Sequence, residues 1–377
     1  MHILTRLLAM AAFAILAGCA AQKAPSNPNE IAIAAAGPMT GDLAAFGEQL
    51  RRGAELAVAD INAKGGVLGK QLRLVLGDDQ CDPAQAVRVA NNLVGQGVVF
   101  VDGHFCSGSS IPASSVYAEA NVLQITPSST NPYLTDGAAD KGITTVMRTA
   151  NRDDQQGVFA GDWMAKHYAG KNVAVIDDGS AYGSGLADMA AQWMEKGGLK
   201  PLIRTTYRQR AQDHVQLVDT LIVGKIDVVY VGGYHDDLAR IVRQAREKGF
   251  KGAWISGDAL NTSEFPRLAG PAANGVRFSD LPSAIGLPSA REAVDAFRKE
   301  GYEPEGYTLS AYAAVQAFAA AANAAGSTDG KAMAAWLRKS TVPTVIGDLS
   351  WDAKGDVTRQ RFAWYVWRDG RFDLAPE

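Results

Sequence analysis

The chain alternates short apolar runs with longer segments whose apolar positions recur at helical spacing. The runs "IAIAAA" (31–36), "QLRLVLGD" (71–78), "VVFVDG" (98–103) and "VLQITP" (122–127) predict strands. Between them, "FGEQLRRGAELAVADINAKGG" and "PAQAVRVANNLVGQG" carry helical periodicity and end in glycine, as helix C-termini do. Strands separated by helices imply βαβ units and a parallel sheet. The pattern restarts with "NVAVID" (172–177), "PLIRTTYR" (201–208), "VVYVGG" (228–233) and "AWISGD" (253–258).

The two runs also match in detail. "AKGGVLGKQLRL" (63–74) answers "EKGGLKPLIRT" (195–205), and "VVFVDGH" (98–104) answers "VVYVGGYH" (228–235). Gly103 and Ser128 stand 25 residues apart, as do Gly233 and Asp258. Three matches in one order predict two lobes of one topology. Doubly wound sheets bind ligands beyond the C-terminal ends of their strands, so facing edges would enclose one cleft.

After Asp258 the pattern changes. "GYTLSAYAAVQAFAAAANAAG" (306–326) and "KAMAAWLRKS" (331–340) predict helices, "TVIGDLSWDAKGD" a strand and turn, and "RFAWYVWRDGRF" (361–372) a late edge strand. If the helices return to the first lobe and the last strand completes the second, lobe one is 30–148 with 281–356. Lobe two is then 149–280 with 357–377. The expected fold is α/β: two doubly wound parallel-sheet lobes, a multi-stranded hinge and a ligand cleft between them. A chain of 377 residues is long for one core, which agrees.

The N-terminus changes how the cysteines are read. In "MHILTRLLAMAAFAILAGCA", Arg6 precedes an apolar run of about a dozen residues, too short to span a bilayer and suited to a secretory leader. Leu16-Ala17-Gly18-Cys19 is similar to a bacterial lipobox, so residues 1–19 are expected to be a lipoprotein signal and Cys19 to be lipidated. The alternative is an ordinary signal peptide in which Cys19 is incidental. Residues 20–29, rich in Pro, Ser and Asn, would form a flexible tether. The expected location is exported and lipid-anchored, on the periplasmic side of a membrane or the outer face of a single cell membrane. Of three cysteines, Cys81 and Cys106 then remain as a pair in an oxidising compartment. A disulfide is the default, worth about 3–4 kcal/mol by loop-closure entropy. The net charge of −3 argues against a nucleic-acid partner.

Enzymatic readings find little support. Cys106, in "GHFCSGSS", could be a nucleophile, a metal ligand or a clamp, and export favours the clamp. Ser107 lacks a G-x-S-x-G elbow, and the five histidines show no metal-ligand spacing. "GSAYGSG" (179–185) lacks the dinucleotide order. The acidic doublets at 78–79, 153–154, 177–178 and 236–237 read as helix and turn capping. No metal, cofactor or catalytic residue is expected. Binding fits better. A zwitterionic amino acid offers a carboxylate to Ser107, Ser128 and Thr130 on one lobe and an ammonium to Asp258 on the other. The plainer reading of those hydroxyls is bonding to their own backbone.

"GPMTGDLAAFGEQLRRGAELAVADINAKGGVLGKQLRLVLGDDQCDPAQAV", "GHFCSGSSIPAS", "ITPSSTNP", "VVYVGGYH" and "TVIGDLSWDAKGD" resemble the leucine/isoleucine/valine-binding proteins of ABC transporters, in the type I periplasmic binding protein family. The likeness runs from about Glu30 to about Phe372. It implies a Cys81–Cys106 disulfide and ligand contacts at Ser107, Ser128, Thr130, Tyr182, Tyr234 and Asp258. It also implies a monomer that closes on an aliphatic amino acid and delivers it to membrane permease subunits. Three positions depart from the family's habit: Asp258 stands where Glu is frequent, Phe46 where Tyr or Trp is, and Ser128 where Ala is. Phe46 keeps an apolar wall suited to an aliphatic side chain. Asp258 draws the carboxylate back by one methylene and leaves room for a water or another ligand pose. Alternatives are another amino acid, an amide or urea as ligand, a free-standing sensor, or an exported hydrolase or amidase.

Overall fold

Two sheets built on the same path organise the chain. The computed structural model describes residues 27–358 and 361–375. The leader and Cys19 lie outside the described residues. The first sheet holds β1 (Glu30–Gly37), β2 (Gln71–Asp78), β3 (Phe100–Gly103), β4 (Leu123–Thr126) and β5 (Val146–Arg148), all parallel, in the order β2-β1-β3-β4-β5. Its helices are α1 (Ala44–Ala63), α2 (Pro83–Gly95), α3 (Ser107–Glu119) and α4 (Tyr133–Asp140). The second sheet holds β6 (Val173–Asp177), β7 (Ile203–Thr206), β8 (Val228–Gly232), β9 (Ala253–Ser256) and β10 (Arg277–Asp280) in the order β7-β6-β8-β9-β10. It carries α5 (Asp153–His167), α6 (Ala181–Lys196), α7 (Val215–Val223), α8 (His235–Glu247) and α9 (Glu264–Ala269). The identical order explains the repeated spacing in the sequence. Ser128 stands two residues beyond β4, and Asp258 two beyond β9.

The chain then returns. α10 (Arg291–Lys299), α11 (Thr308–Ala325), α12 (Gly330–Leu337) and the hairpin β11 (Val342–Thr344)–β12 (Gly347–Leu349) share one core with the first sheet. α11 is Ala-rich because it is packed on most sides. A Cβ on Gly53 of α1 would lie 2.2 Å from the Thr308 carbonyl oxygen, so glycine permits this helix contact. Phe318 of α11 stacks on Phe100 of β3 at 4.6 Å.

The last segment is a hairpin where the sequence predicts one edge strand. β13 (Ala363–Arg368) pairs antiparallel with β10, and β14 (Arg371–Leu374) folds back on β13. The turn residues Asp369 and Gly370 have φ of 47° and 77°. Asp-Gly is a strong two-residue hairpin signal, and the period-2 pattern on both sides masks it. The chain thus passes between the sheets after β5, after β10 and before β13.

Another core cluster spans both lobes. Leu43, Phe46, Leu50 and Phe105 from the first-sheet side pack with Tyr182, Leu186, Tyr234 and Ile255 from the other. Apolar surface is removed from water where the two C-terminal edges meet, which favours their contact.

Candidate functional site

Two loops of the first lobe are tied together by short-range bonds. Cys81 and Cys106 form a disulfide with Cα atoms 5.5 Å apart. Gln80 and Cys81 both take left-handed φ, of 51° and 55°, and the Asp79 carboxylate accepts from the Cys81 N–H at 2.8 Å. The other Asp79 oxygen meets His104 Nδ1 at 2.5 Å, and His104 Nε2 meets the Tyr117 hydroxyl at 2.8 Å, all buried. The His104 carbonyl accepts from Ser110, Thr126 and Ser129. The loop from 103 to 107 is therefore held on both flanks before it starts α3.

Ser107 is the first residue of α3 and is 1% exposed. Its Oγ accepts from Asn131 N–H at 3.2 Å, which leaves its proton to donate toward the cleft. A buried hydroxyl on a helix N-terminus suits a carboxylate. Ser128 differs. Its hydroxyl donates to the Phe105 carbonyl at 3.0 Å, as the backbone-bonding alternative expects. It can accept from a ligand more readily than donate. Thr130 is fully buried, and its Oγ1 has no hydrogen-bond partner.

The second lobe supplies the acid. Asp258 is 1% exposed. The Tyr182 hydroxyl donates to its Oδ1 at 3.1 Å and the Tyr307 hydroxyl to its Oδ2 at 2.6 Å. A Cβ on the preceding Gly257 would lie 2.5 Å from Leu186 and 2.9 Å from the Tyr182 hydroxyl, so glycine is needed for this approach. Burial raises the Asp258 pKa, and the two phenol bonds oppose that rise. Both phenols are themselves held well above their usual range by burial and by the Asp258 charge, so they remain neutral donors. Tyr234 sets its ring 5.2 Å from Tyr182 and 6.4 Å from Phe105. Phe46 is fully buried, stacked on Phe105 at 4.4 Å and edge-on to His235 at 4.8 Å across the cleft.

Asp153 adds a second acid. It is fully buried in the first turn of α5, and neither carboxylate oxygen has a hydrogen-bond partner. Its pKa is pushed well above the usual range by burial, with the Asp258 charge adding to the rise. The Thr130 hydroxyl eases this without reaching hydrogen-bonding geometry. The capping reading of this doublet does not describe Asp153. Arg152 is the residue at the cap, and the Asp153 side chain points inward among Thr130, Tyr182 and Asp258.

Two cavities flank this cluster. One of about 470 Å³ lies between the lobes, lined by Leu43, Cys106 and Ile111 on one side and Asp178, Tyr234 and Asp236 on the other. The other, of about 1090 Å³, is lined by Asn151, Asn261, Asp280, Glu305 and Tyr307. Tyr234 faces the first and Tyr307 the second, and Tyr182 and Asp258 link them. Of the predicted contacts, Tyr234 lines a cavity, whereas Phe46, Ser107, Ser128, Thr130, Tyr182 and Asp258 line neither.

Asp280 lines the larger cavity. Its carboxylate accepts from Asn261 Nδ2 at 2.7 Å and Leu281 N–H at 2.6 Å. Enclosure, then the nearby Asp258 charge, pushes its pKa up to about 8. A carboxyl raised in the folded state costs stability as pH climbs from the unfolded range, about 4, to that value. Relative to Asp280→Asn, the wild type is expected to lose on the order of 2 kcal/mol between pH 4 and pH 8, less than the full shift because the cavity admits solvent. Melting temperatures of both proteins across that range check this. Parallel curves would show that Asp280 is not perturbed.

A family model for periplasmic binding proteins matches residues 30–371. The chain belongs to the periplasmic binding protein family. Among relatives of this periplasmic binding protein, the Leu/Ile/Val-binding protein homolog 2 of Brucella abortus is 43% identical over 342 residues, 90% of this chain and 91% of the relative. A leucine binding protein, LivK, of Thermotoga maritima has a similar structure, with TM-score 0.84, 27% identity and coverage of 92% and 98%. The branched-chain amino acid transporter substrate binding protein LivJ of Streptococcus pneumoniae, solved in complex with isoleucine, has TM-score 0.82, 27% identity and coverage of 92% and 99%. The fold of this periplasmic binding protein is therefore type I, with parallel-sheet lobes. Among its described residues, no helix is long and apolar enough to cross a membrane.

Two residues of the site, Asp153 and Tyr307, carry no signal in the sequence. Asp153 resembles any helix-start acid until its burial is known. Tyr307 precedes an Ala-rich helix that gives no sign of facing a cleft.

Proposed function

We propose that this protein binds an aliphatic, branched-chain amino acid between its lobes and delivers it to the permease of an ABC importer. The observation that carries this reading is the division of labour across the cleft. One lobe offers Ser107 on a helix N-terminus and the unpartnered Thr130 hydroxyl, and the other offers buried Asp258. A buried polar atom without a partner is costly, and a ligand carboxylate at Thr130 would relieve that cost, while an ammonium at Asp258 would offset its buried charge. Asp153, also without a partner, is placed to share the ammonium. Tyr182 and Tyr234 would close over the α-carbon side, and Phe46 with Phe105 would supply the apolar wall. The Leu/Ile/Val-binding relatives and the isoleucine complex of LivJ support the ligand class.

In this reading the ligand is held and released unchanged, so no catalytic residue is assigned. Lobe one comprises 30–148 with 281–356 and lobe two 149–280 with 357–377. The mature protein acts as a monomer outside the cytoplasm, anchored through Cys19. Closure advances only as far as the ligand prefers the closed arrangement. Melting-temperature shifts across the twenty amino acids, small amides and urea test the ligand class. Leucine, isoleucine and valine are expected to give the largest rises, since a ligand at 100 times its Kd adds about 2.7 kcal/mol. A larger rise with an amide or a polar amino acid would reassign the ligand.

A further inference from the structure

The Asp258 carboxylate is not held by its own lobe alone. Tyr307 stands immediately before α11, which packs on α1 and shares the first lobe's core. Its hydroxyl nevertheless reaches across to Asp258 Oδ2 at 2.6 Å. We propose that Tyr307 is a positioning residue, matched in length to Asp258, that sets this carboxylate from the opposite lobe and occupies the space a longer acid would need. This rests on the reading of Asp258 as the ammonium's seat.

The approach of Tyr307 is tightly fixed. Its N–H donates to Gln49 Oε1 of α1 at 3.0 Å. Its ring lies edge-on to Phe46 at 5.8 Å and to Phe105 at 5.1 Å. The residue before it, Gly306, has φ 51°, and a Cβ there would lie 2.3 Å from Gln49 Oε1 and 2.8 Å from the Asn261 carbonyl oxygen. Glu305, one residue further back, accepts from Ser263 N–H of the second lobe at 2.8 Å and from Gln49 Nε2 of the first at 3.4 Å. Residues 305–307 thus bind both lobes at once, and the Tyr307 hydroxyl has one short bond, to Asp258. With its carboxylate one methylene shorter than a glutamate's, Asp258 meets that phenol at hydrogen-bond distance. A glutamate on the same backbone would drive its carboxylate toward the phenol oxygen. Removing that oxygen makes room for it.

The groups facing Asp258 are Tyr182 of α6, Gln156 and Asp153 of α5, Tyr230 of β8, Tyr234 just before α8, Asp280 at the end of β10, and Tyr307. Two of these are acids, so each neutral donor helps the carboxylate to stay ionised. Loss of the Tyr307 hydroxyl is therefore expected to move the acid limb of any binding profile upward.

The test compares Tyr307→Phe, Asp258→Glu and their combination. L-leucine is titrated by calorimetry at several pH values. In addition, ligand-free melting is measured for Tyr307→Phe, Asp258→Ala and that pair, since alanine removes the acceptor outright. Each of Tyr307→Phe and Asp258→Glu alone is expected to weaken leucine binding about tenfold, the loss typical of one hydrogen bond to a charged group. The combined variant is expected to recover to within about threefold of wild type, because a fitted acid replaces a fitted pair. Tyr307→Phe alone should also raise the pH below which binding fails. Additive losses in the combination, or an unmoved pH profile, would overturn the proposal. If wild type gives no heat with leucine, the proposed ligand is wrong. The melting cycle then still decides the pair: non-additive shifts support it, and additive shifts refute it.

Discussion

Replacing Asp258 by asparagine is expected to cut affinity for a branched-chain amino acid by at least about 100-fold, about 3 kcal/mol, because it strands an ammonium in a desolvated site. The ligand-free protein is expected not to lose stability in exchange. Asp258 is buried with its pKa raised, so its ionised form costs stability once pH exceeds the unfolded carboxylate range. That cost is absent below the unfolded range and grows as pH rises toward the folded pKa. Asparagine keeps one oxygen to accept from one of the two phenols, its Nδ2 can donate to the other phenol's oxygen, and the charge is removed. Near neutral pH the variant should melt at or above the wild-type temperature while its titration with leucine flattens. Less than a threefold loss of affinity would show that the ammonium lies elsewhere, with Asp153 the next candidate.

The second large effect concerns the disulfide. Cys81 and Cys106 are 25 residues apart, and their bond links the strained turn at Gln80 and Cys81 to the loop that starts α3. Opening it is expected to cost about 3 kcal/mol by loop entropy. Cys106→Ser should show that loss as a lower Tm under oxidising conditions. Reducing the wild type should reproduce it, and reductant should leave the variant unchanged. Binding should also weaken, because Ser107 is the next residue and a looser loop loses more entropy on ordering around ligand. The Asp79–His104 contact at 2.5 Å joins the same two loops independently, so a residual fold and a residual affinity are expected. A reduced protein with unchanged Tm and affinity would remove the clamp role.

Much of this architecture is legible in the order of residues alone. The βαβ alternation and the shared 25-residue spacing correspond to identical strand orders, with Ser128 and Asp258 each two residues past a strand. Such features are local: strands, helix ends and the turns between them follow from short-range pattern. Long-range packing is not legible in this way. Tyr307 lies 49 residues from Asp258 and arrives there because α11 packs on α1. Asp153 and Asp154 look alike in the sequence, yet Asp153 is fully buried without a hydrogen bond whereas Asp154 pairs with Arg152 near the surface. The final hairpin is hidden for a different reason. Its Asp-Gly turn sits between two short alternating runs whose patterns join without a visible break.

Calorimetric titration of the ligand-free protein with L-isoleucine, followed by recovery of the bound compound for mass spectrometry, tests the proposed role most directly. One isoleucine per chain, saturable and recovered with its mass unchanged, is the expected result. No heat with isoleucine, leucine or valine, or a recovered compound of altered mass, would contradict it.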